Sequence, residues 1–228
     1  MDAFNAEQSS TGSMSTPGII ESVNVGKPRT VDRRGKPVLT AIWKAPVEGR
    51  IRVEGINLVG DDQADRSVHG GVDKSVYAYA AEDYEWWGER LGFVPGPGTF
   101  GDNLTVRGLD VSHAVVGERW LVGTVLLEVT QPRMPCFKLG IRMDNPRFPK
   151  IFTAAGRHGA YFRIIQSGEL EAGDKAEVLH RPNHGLTVAD VAHIYLKDHS
   201  GVERLLEVPE LAASWKEWAQ EVSRKRAS

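Results

Sequence analysis

The spacing of hydrophobic residues changes along the chain, and the changes divide it into three parts. Residues 1–16 show no hydrophobic period; Gln8, Ser9, Ser10, Gly12, Ser13 and Ser15 predict a flexible tail. From Gly18 to about Arg181 the dominant signal is that of strands. Residues 50–54 alternate, with Ile51 and Val53 on one side and Arg50, Arg52 and Glu54 on the other. Short runs at 75–79, 103–106, 119–122, 125–130, 160–165 and 175–179 are rich in Val, Ile, Leu, Tyr and Phe. Many short strands with glycine-rich turns predict a barrel or sandwich rather than a doubly wound sheet.

Helical spacing interrupts this region twice. Ala80, Tyr84, Trp87 and Leu91 fall on one helix face, with Glu82, Asp83, Glu85 and Glu89 largely elsewhere. Residues 137–155, broken by Pro146 and Pro149, predict two short helical turns. After Pro182 the helical period takes over. Thr187 and Asp190 have capping-box spacing, with Asp in place of the usual Glu or Gln. Val188, Val191, Ala192, Tyr195 and Leu196 then form an apolar stripe. Pro209 is expected to open a further helix carrying Leu211, Trp215, Trp218, Ala219 and Val222 on one face, with a short third helix at 201–206. The predicted organisation is a tail at 1–16, a mainly β barrel domain at 17–182 and a three-helix extension at 186–228. The extension is too short to be stable alone. It is expected to pack on the barrel or on a second copy of the chain, which would make a homodimer.

Composition narrows the class. The 228 residues are 41% hydrophobic and 25% charged, which excludes disordered, collagen-like and coiled-coil chains. A net charge of −2 argues against a nucleic-acid binder driven by overall positive charge. No stretch approaches the ~20 apolar residues of a membrane helix, and no secretory signal pattern is visible. The expectation is a soluble cytoplasmic protein with no membrane partner. The single cysteine, Cys136, excludes an intramolecular disulfide.

Cys136 is also the strongest candidate for chemistry. It ends Thr130-Gln131-Pro132-Arg133-Met134-Pro135-Cys136, where a strand stops, two prolines stiffen a loop and a helical turn is expected to begin. A thiol placed there, near Arg133 and Lys138, should form thiolate readily, and thiolate attacks electrophiles, carries persulfide or binds soft metals. Against it stands the ordinary fate of a lone cysteine, inert burial. A second candidate runs from Asp65 to Val76, where His69, Gly70 and Gly71 lie between Arg66 and Lys74. Paired glycines let backbone amides approach an anion. Gly101-Asp102-Asn103-Leu104 and Gly156-Arg157-His158-Gly159-Ala160-Tyr161-Phe162-Arg163 place polar and cationic side chains at strand starts, where barrel-rim residues face a mouth.

Taken in order, these segments resemble the MOSC family, named for the C-terminal domain of molybdenum cofactor sulfurase, and most closely its stand-alone bacterial YiiM-type members. The likeness covers roughly 18–220. It rests on His69-Gly70-Gly71 with Lys74, Gly101 to Leu104, Gln131 to Cys136, Gly156 to Arg163 and the Gly173-Asp174 turn; the helical tail is similar to that subgroup's three-helix extension. The family usually has Glu where Asp102 stands, a departure that preserves charge. The resemblance implies a pyruvate-kinase-like β-barrel and a molybdenum cofactor, molybdopterin-bound molybdenum, with Cys136 as metal ligand. Relatives such as the mitochondrial amidoxime-reducing component reduce N-hydroxylated compounds. The implied roles are cofactor clamps at Arg66, Lys74, Arg133, Arg157 and Arg163, backbone contacts at Gly70 and Gly71, and pterin hydrogen bonds or proton donation by His69, Asn103 and His158. The implied activity is reduction of small N-hydroxylated bases or amidoximes. No flavin or iron–sulfur motif is visible, so electrons would come from an external reductase. Two other readings stay open: a sulfur carrier with a persulfide on Cys136, and a non-catalytic cofactor-binding module.

Overall fold

The computed structural model describes residues 16–64 and 70–227. The predicted tail, apart from Thr16, lies outside the described residues. The strands are β1 (Gly18–Val25), β2 (Arg29–Arg33), β3 (Lys36–Thr40), β4 (Ala45–Pro46), β5 (Ile51–Glu54), β6 (Asn57–Leu58), β7 (Val76–Ala80), β8 (Leu104–Arg107), β9 (Arg119–Val122), β10 (Val125–Pro132), β11 (Ala160–Gln166), β12 (Gly168–Leu170) and β13 (Lys175–His180). The helices are α1 (Ala81–Leu91), α2 (Phe137–Arg142), α3 (Phe148–Ala155), α4 (Val188–Leu196), α5 (Val202–Leu206) and α6 (Ala213–Ala227).

Seven strands close a barrel in the order β13-β9-β10-β11-β7-β8-β1, with β1 returning to β13 through Gly18–Ala176 and Ile19–Lys175. All pairs are antiparallel except β7 with β8, which α1 joins as a crossover. Closure leaves the barrel without free edges. Its interior is filled by alternate residues such as Ile20, Val76, Ala78, Leu127, Val129 and Phe162.

β7 shows how the sequence period becomes two cores. Val76 and Ala78 point into the barrel, while Tyr77 and Tyr79 point out, yet all five residues are buried. Helices α1 and α3 cover the outer face with Tyr84, Trp87, Phe148 and Phe152, and Phe100 completes this aromatic cluster. Trp87 stacks on Phe152 at 5.7 Å, and its indole N–H donates to Tyr79 Oη at 2.8 Å. Each such ring pair adds about 0.5–1.5 kcal/mol beyond area burial. The predicted face of α1 is therefore the buried one, and Ala80 is its N-cap. Asp83 is an exception: it is buried too, because Arg157 pairs with it.

The extension packs on its own barrel. Thr187 bridges Val115, Val188 joins the barrel core, and the Thr187–Asp190 capping box forms as its spacing predicts. The last helix differs from expectation: it starts at Ala213, not at Pro209. Tertiary bonds take the backbone groups an earlier start would use, since Arg163 donates to the Glu210 carbonyl at 2.7 Å and Ala212 N–H donates to Thr130 at 3.3 Å. Leu211, Trp215 and Ala219 are nonetheless buried together with Leu186, Val191 and Leu205.

Candidate functional site

One cleft of about 720 Å³, counting its solvent-filled mouth, opens at the rim of the barrel. Four of the predicted residues line it: Lys74, Asn103, Arg133 and Cys136. They come from three chain segments, with Arg133 and Cys136 on one loop, gathered by the closure of the barrel.

Cys136 caps α2 with extended backbone (φ −117°, ψ 177°), and its carbonyl accepts from Leu139 N–H at 3.0 Å. The residue is half-buried. Three residues earlier, Arg133 is only 6% exposed. Its guanidinium carbon lies 5.7 Å from the Tyr77 ring centroid and 5.4 Å from that of Phe152. Nη1 is buried and has no hydrogen-bond partner among the described residues. No carboxylate among them forms an ion pair with this guanidinium. A buried cation in that state favours an anionic ligand.

Lys74 closes a one-turn helix at Val72–Lys74, and burial lowers its pKa against the opposing effect of Asp73. Gln63 clamps this turn from both ends, accepting from Gly71 N–H at 3.2 Å and donating to the Lys74 carbonyl at 3.0 Å. Gly71 has φ 96°, a conformation that favours glycine. Gly70 is partly buried beside it. Arg66 and His69 lie outside the described residues.

Asn103 lines the cleft but is committed to the fold. Its Oδ1 accepts from Tyr77 N–H, and its Nδ2 donates to the Asn24 carbonyl and to Asp61 Oδ2 at 2.9 Å. Asp102 is fully buried beneath it and accepts from Tyr84, Thr105, Asn24 and Gly98; burial raises its pKa despite these donors. Both residues hold the rim in shape. With both Nδ2 protons used, Asn103 has no spare donor for a pterin in this conformation.

Three predicted residues stand elsewhere. His158 is buried behind the cleft, where its Nδ1 lies 3.3 Å from the Arg133 carbonyl and burial lowers its pKa. It supports the backbone of the Arg133 loop and does not line the cleft. Arg157 is paired with Asp83 and lies over the Trp86 ring at 4.5 Å. Arg163 pairs with Asp73 at 2.9 Å and Glu128 at 3.3 Å. For these two arginines, ion pairing with the protein has replaced availability to a ligand.

The cleft also contains residues the sequence reading missed. Lys44 forms a buried ion pair with Asp61, and Asp61 accepts from Gly26 N–H and Asn103. Burial lowers the Lys44 pKa, with Asp61 opposing. Tyr77 and Tyr161 form an aromatic wall with ring centroids 5.1 Å apart, and burial raises both phenol pKa values. Lys44 and Asp61 sit in irregular segments with no local signal; the tyrosines read as ordinary strand residues.

A closed, mixed seven-stranded barrel with a cysteine-bearing loop at its rim defines the class. A family model described as "MOSC domain" matches residues 65–177. Protein YflK of Bacillus subtilis is 34% identical over 198 residues, covering 86% of this chain and 90% of its own. The chain belongs to the MOSC family. The crystal structure of YiiM from Geobacillus stearothermophilus is similar with a TM-score of 0.74 at 34% identity, over 90% of this chain and 98% of that one. A longer protein of Gibberella moniliformis named "Reductase" is 30% identical, matching 86% of this chain and 35% of its own.

Proposed function

We propose that this protein binds a molybdenum cofactor in the cleft and reduces small N-hydroxylated compounds. The observation that carries the reading is the pairing of a half-buried thiol at Cys136 with the unpartnered, buried Nη1 of Arg133 in one cavity. A soft thiolate suits a soft metal, and a guanidinium suits a phosphate. Among the described residues no group of three His, Cys, Asp or Glu side chains stands ready to hold a bare metal ion. A metal at Cys136 would therefore bring most of its own ligands, as a metal carried by a dithiolene pterin does. The residues fit that group.

When bound, the cofactor would supply the two-electron chemistry that cleaves an N–O bond. The chain's residues have other tasks. Cys136 anchors the metal, and Arg133, together with Lys74, holds the anionic tail. The Tyr77–Tyr161 wall excludes water from one side and keeps its phenols protonated. Cleavage consumes two protons and releases water; Lys74 holds a proton on Nζ that burial makes easier to give up. The redox class accords with the name of the fungal relative.

The test is protein made in a host that synthesises molybdopterin. Bound molybdenum near one per chain, together with reduction of an N-hydroxylated purine by a chemical reductant, is expected. A metal-free protein with labile sulfur on Cys136 would replace the reductase with a sulfur carrier; cofactor binding without turnover would leave a binding module.

A further inference from the structure

The hairpin β2–β3 stands apart from the barrel as its own two-stranded sheet. A two-residue turn, Arg34 (φ 54°) and Gly35 (φ 77°), joins the strands. Residues 27–36 hold Lys27, Arg29, Arg33, Arg34 and Lys36 against the single acid Asp32. Helix α2 adds Lys138 and Arg142 and no acid. The two segments form one face. Arg33 lies over the Phe137 ring at 4.6 Å, and Arg29 and Arg142 both lie over Trp43, at 4.0 and 5.8 Å. The face borders the cleft, because Thr40, Ile42 and Lys138 line the cleft and Phe137 follows Cys136.

Its charge is unusual for this molecule. Arg50, Arg107, Arg119, Arg157, Arg163 and Arg181 are all paired with carboxylates. None of the seven cations of the hairpin and α2 forms an ion pair with a carboxylate of the described residues, and Asp32 accepts from Gly35 N–H. Seven cations and one acid thus give +6 locally on a chain whose net charge is −2. Leu39 (51% exposed) and Phe137 (43%) stand among the charges.

We propose that this face docks an acidic electron-transfer protein that delivers electrons to the cleft; the inference rests on the reductase reading above. The reaction needs a donor, since R–NHOH + 2 e⁻ + 2 H⁺ gives R–NH₂ + H₂O, and the donor is oxidised by the same two electrons. A basic surface at the site mouth steers an acidic partner and orients its redox group toward Cys136. Exposed Leu39 and Phe137 supply the apolar contacts of a protein interface, where arginine and aromatic residues are enriched. A nucleic acid would stack its bases on aromatic faces, but here a guanidinium already lies over each ring.

The experiment uses reduced flavodoxin, an acidic flavoprotein, as donor to the cofactor-loaded protein. The double variant Arg33→Glu/Lys36→Glu is compared with wild type and with a control, Lys175→Glu/Lys197→Glu, two exposed lysines on β13 and at the C-terminal end of α4. Flavodoxin binding, measured by calorimetry at low salt, should weaken at least about tenfold in the hairpin variant only, with a matching rise in KM for flavodoxin. Turnover driven by a small chemical reductant should stay within about twofold of wild type. Added salt should weaken wild-type binding more steeply than the variant's. Equal flavodoxin binding by wild type and variant overturns the docking face. So does wild type that binds a single-stranded DNA oligomer more tightly than flavodoxin and loses that binding in the variant. Hairpin-dependent flavodoxin binding to a protein that turns over with no reductant sinks the reductase reading and leaves the docking face standing.

Discussion

The loop that ends β10 has two sides, and they handle buried polar groups in opposite ways. Toward the helical extension, Trp215 donates to Gln131 at 2.7 Å, and Thr130 and Gln131 donate to the Asp73 carbonyl at 2.7 and 3.0 Å. Arg163 shares that side and is balanced by Asp73 and Glu128, leaving only its Nε without a partner. Toward the cleft, Arg133 is deeply buried, and no carboxylate of the described residues pairs with it. The comparison teaches that a cation's availability is set by its neighbours. On the helical side polar groups hold the fold together; on the cleft side the fold has left one charge for something else. Unpaired burial costs stability, a cost that a bound anion would offset.

The comparison breaks first at Trp215. Trp215→Ala removes a buried ring and leaves Gln131 Oε1 without its donor, and should cost about 3–5 kcal/mol. An unchanged denaturant midpoint would show that the extension does not depend on this contact.

On the opposite side, Cys136→Ser should leave stability within about 1 kcal/mol and reduce turnover by at least about a hundredfold, roughly 2.7 kcal/mol of barrier. Circular dichroism and the N-hydroxypurine assay check the two halves. Reductase activity that survives the substitution rejects the metal-ligand assignment.

The two arginines sharpen the contrast. Arg163→Ala removes the ion-pair partner of Asp73 and one of the two cations on buried Glu128, which keeps Arg119, and should destabilise by about 1–3 kcal/mol, with cofactor occupancy unchanged. Arg133→Ala should do the reverse: little change in melting, but about tenfold weaker cofactor retention on dialysis, roughly 1.4 kcal/mol. Equal effects on both properties would erase the distinction between the two sides.

The smallest effect concerns pH. Burial holds the His158 pKa below its usual 6.5, so the unfolded chain binds more protons than the native one as pH falls past that value. His158 should therefore add nothing to the pH dependence well above 6.5 and should lower stability progressively as pH drops through and below it. His158→Gln should flatten this part of the melting-temperature profile. A profile identical to wild type would mean that His158 protonates without cost.

Much of this was legible in the chain. Short runs rich in Val, Ile, Leu, Tyr and Phe located most of the barrel strands within a residue or two, because such residues suit a strand buried on one or both faces; the strict alternation at 50–54 marked β5, which lies in a separate small sheet. The Thr187–Asp190 spacing predicted a capping box that forms, and the proline-bounded loop predicted that a helix begins at Cys136. The hairpin β2–β3 was not singled out, since its alternation is masked by charge. Pro209 suggested a helix start that tertiary hydrogen bonds moved to Ala213.

What the sequence determined by itself was local: strand period, caps, helix faces and the single thiol at a stiff turn. What only the tertiary structure decided was which charges meet. Arg133, Arg157 and Arg163 look alike as letters, yet Arg157 finds Asp83 74 positions away and Arg163 finds Glu128 35 positions away. Arg133 has no such carboxylate among the described residues. Periodicity is a property of neighbours along the chain, whereas charge balance is fixed by neighbours in space, which here become neighbours only when the barrel closes.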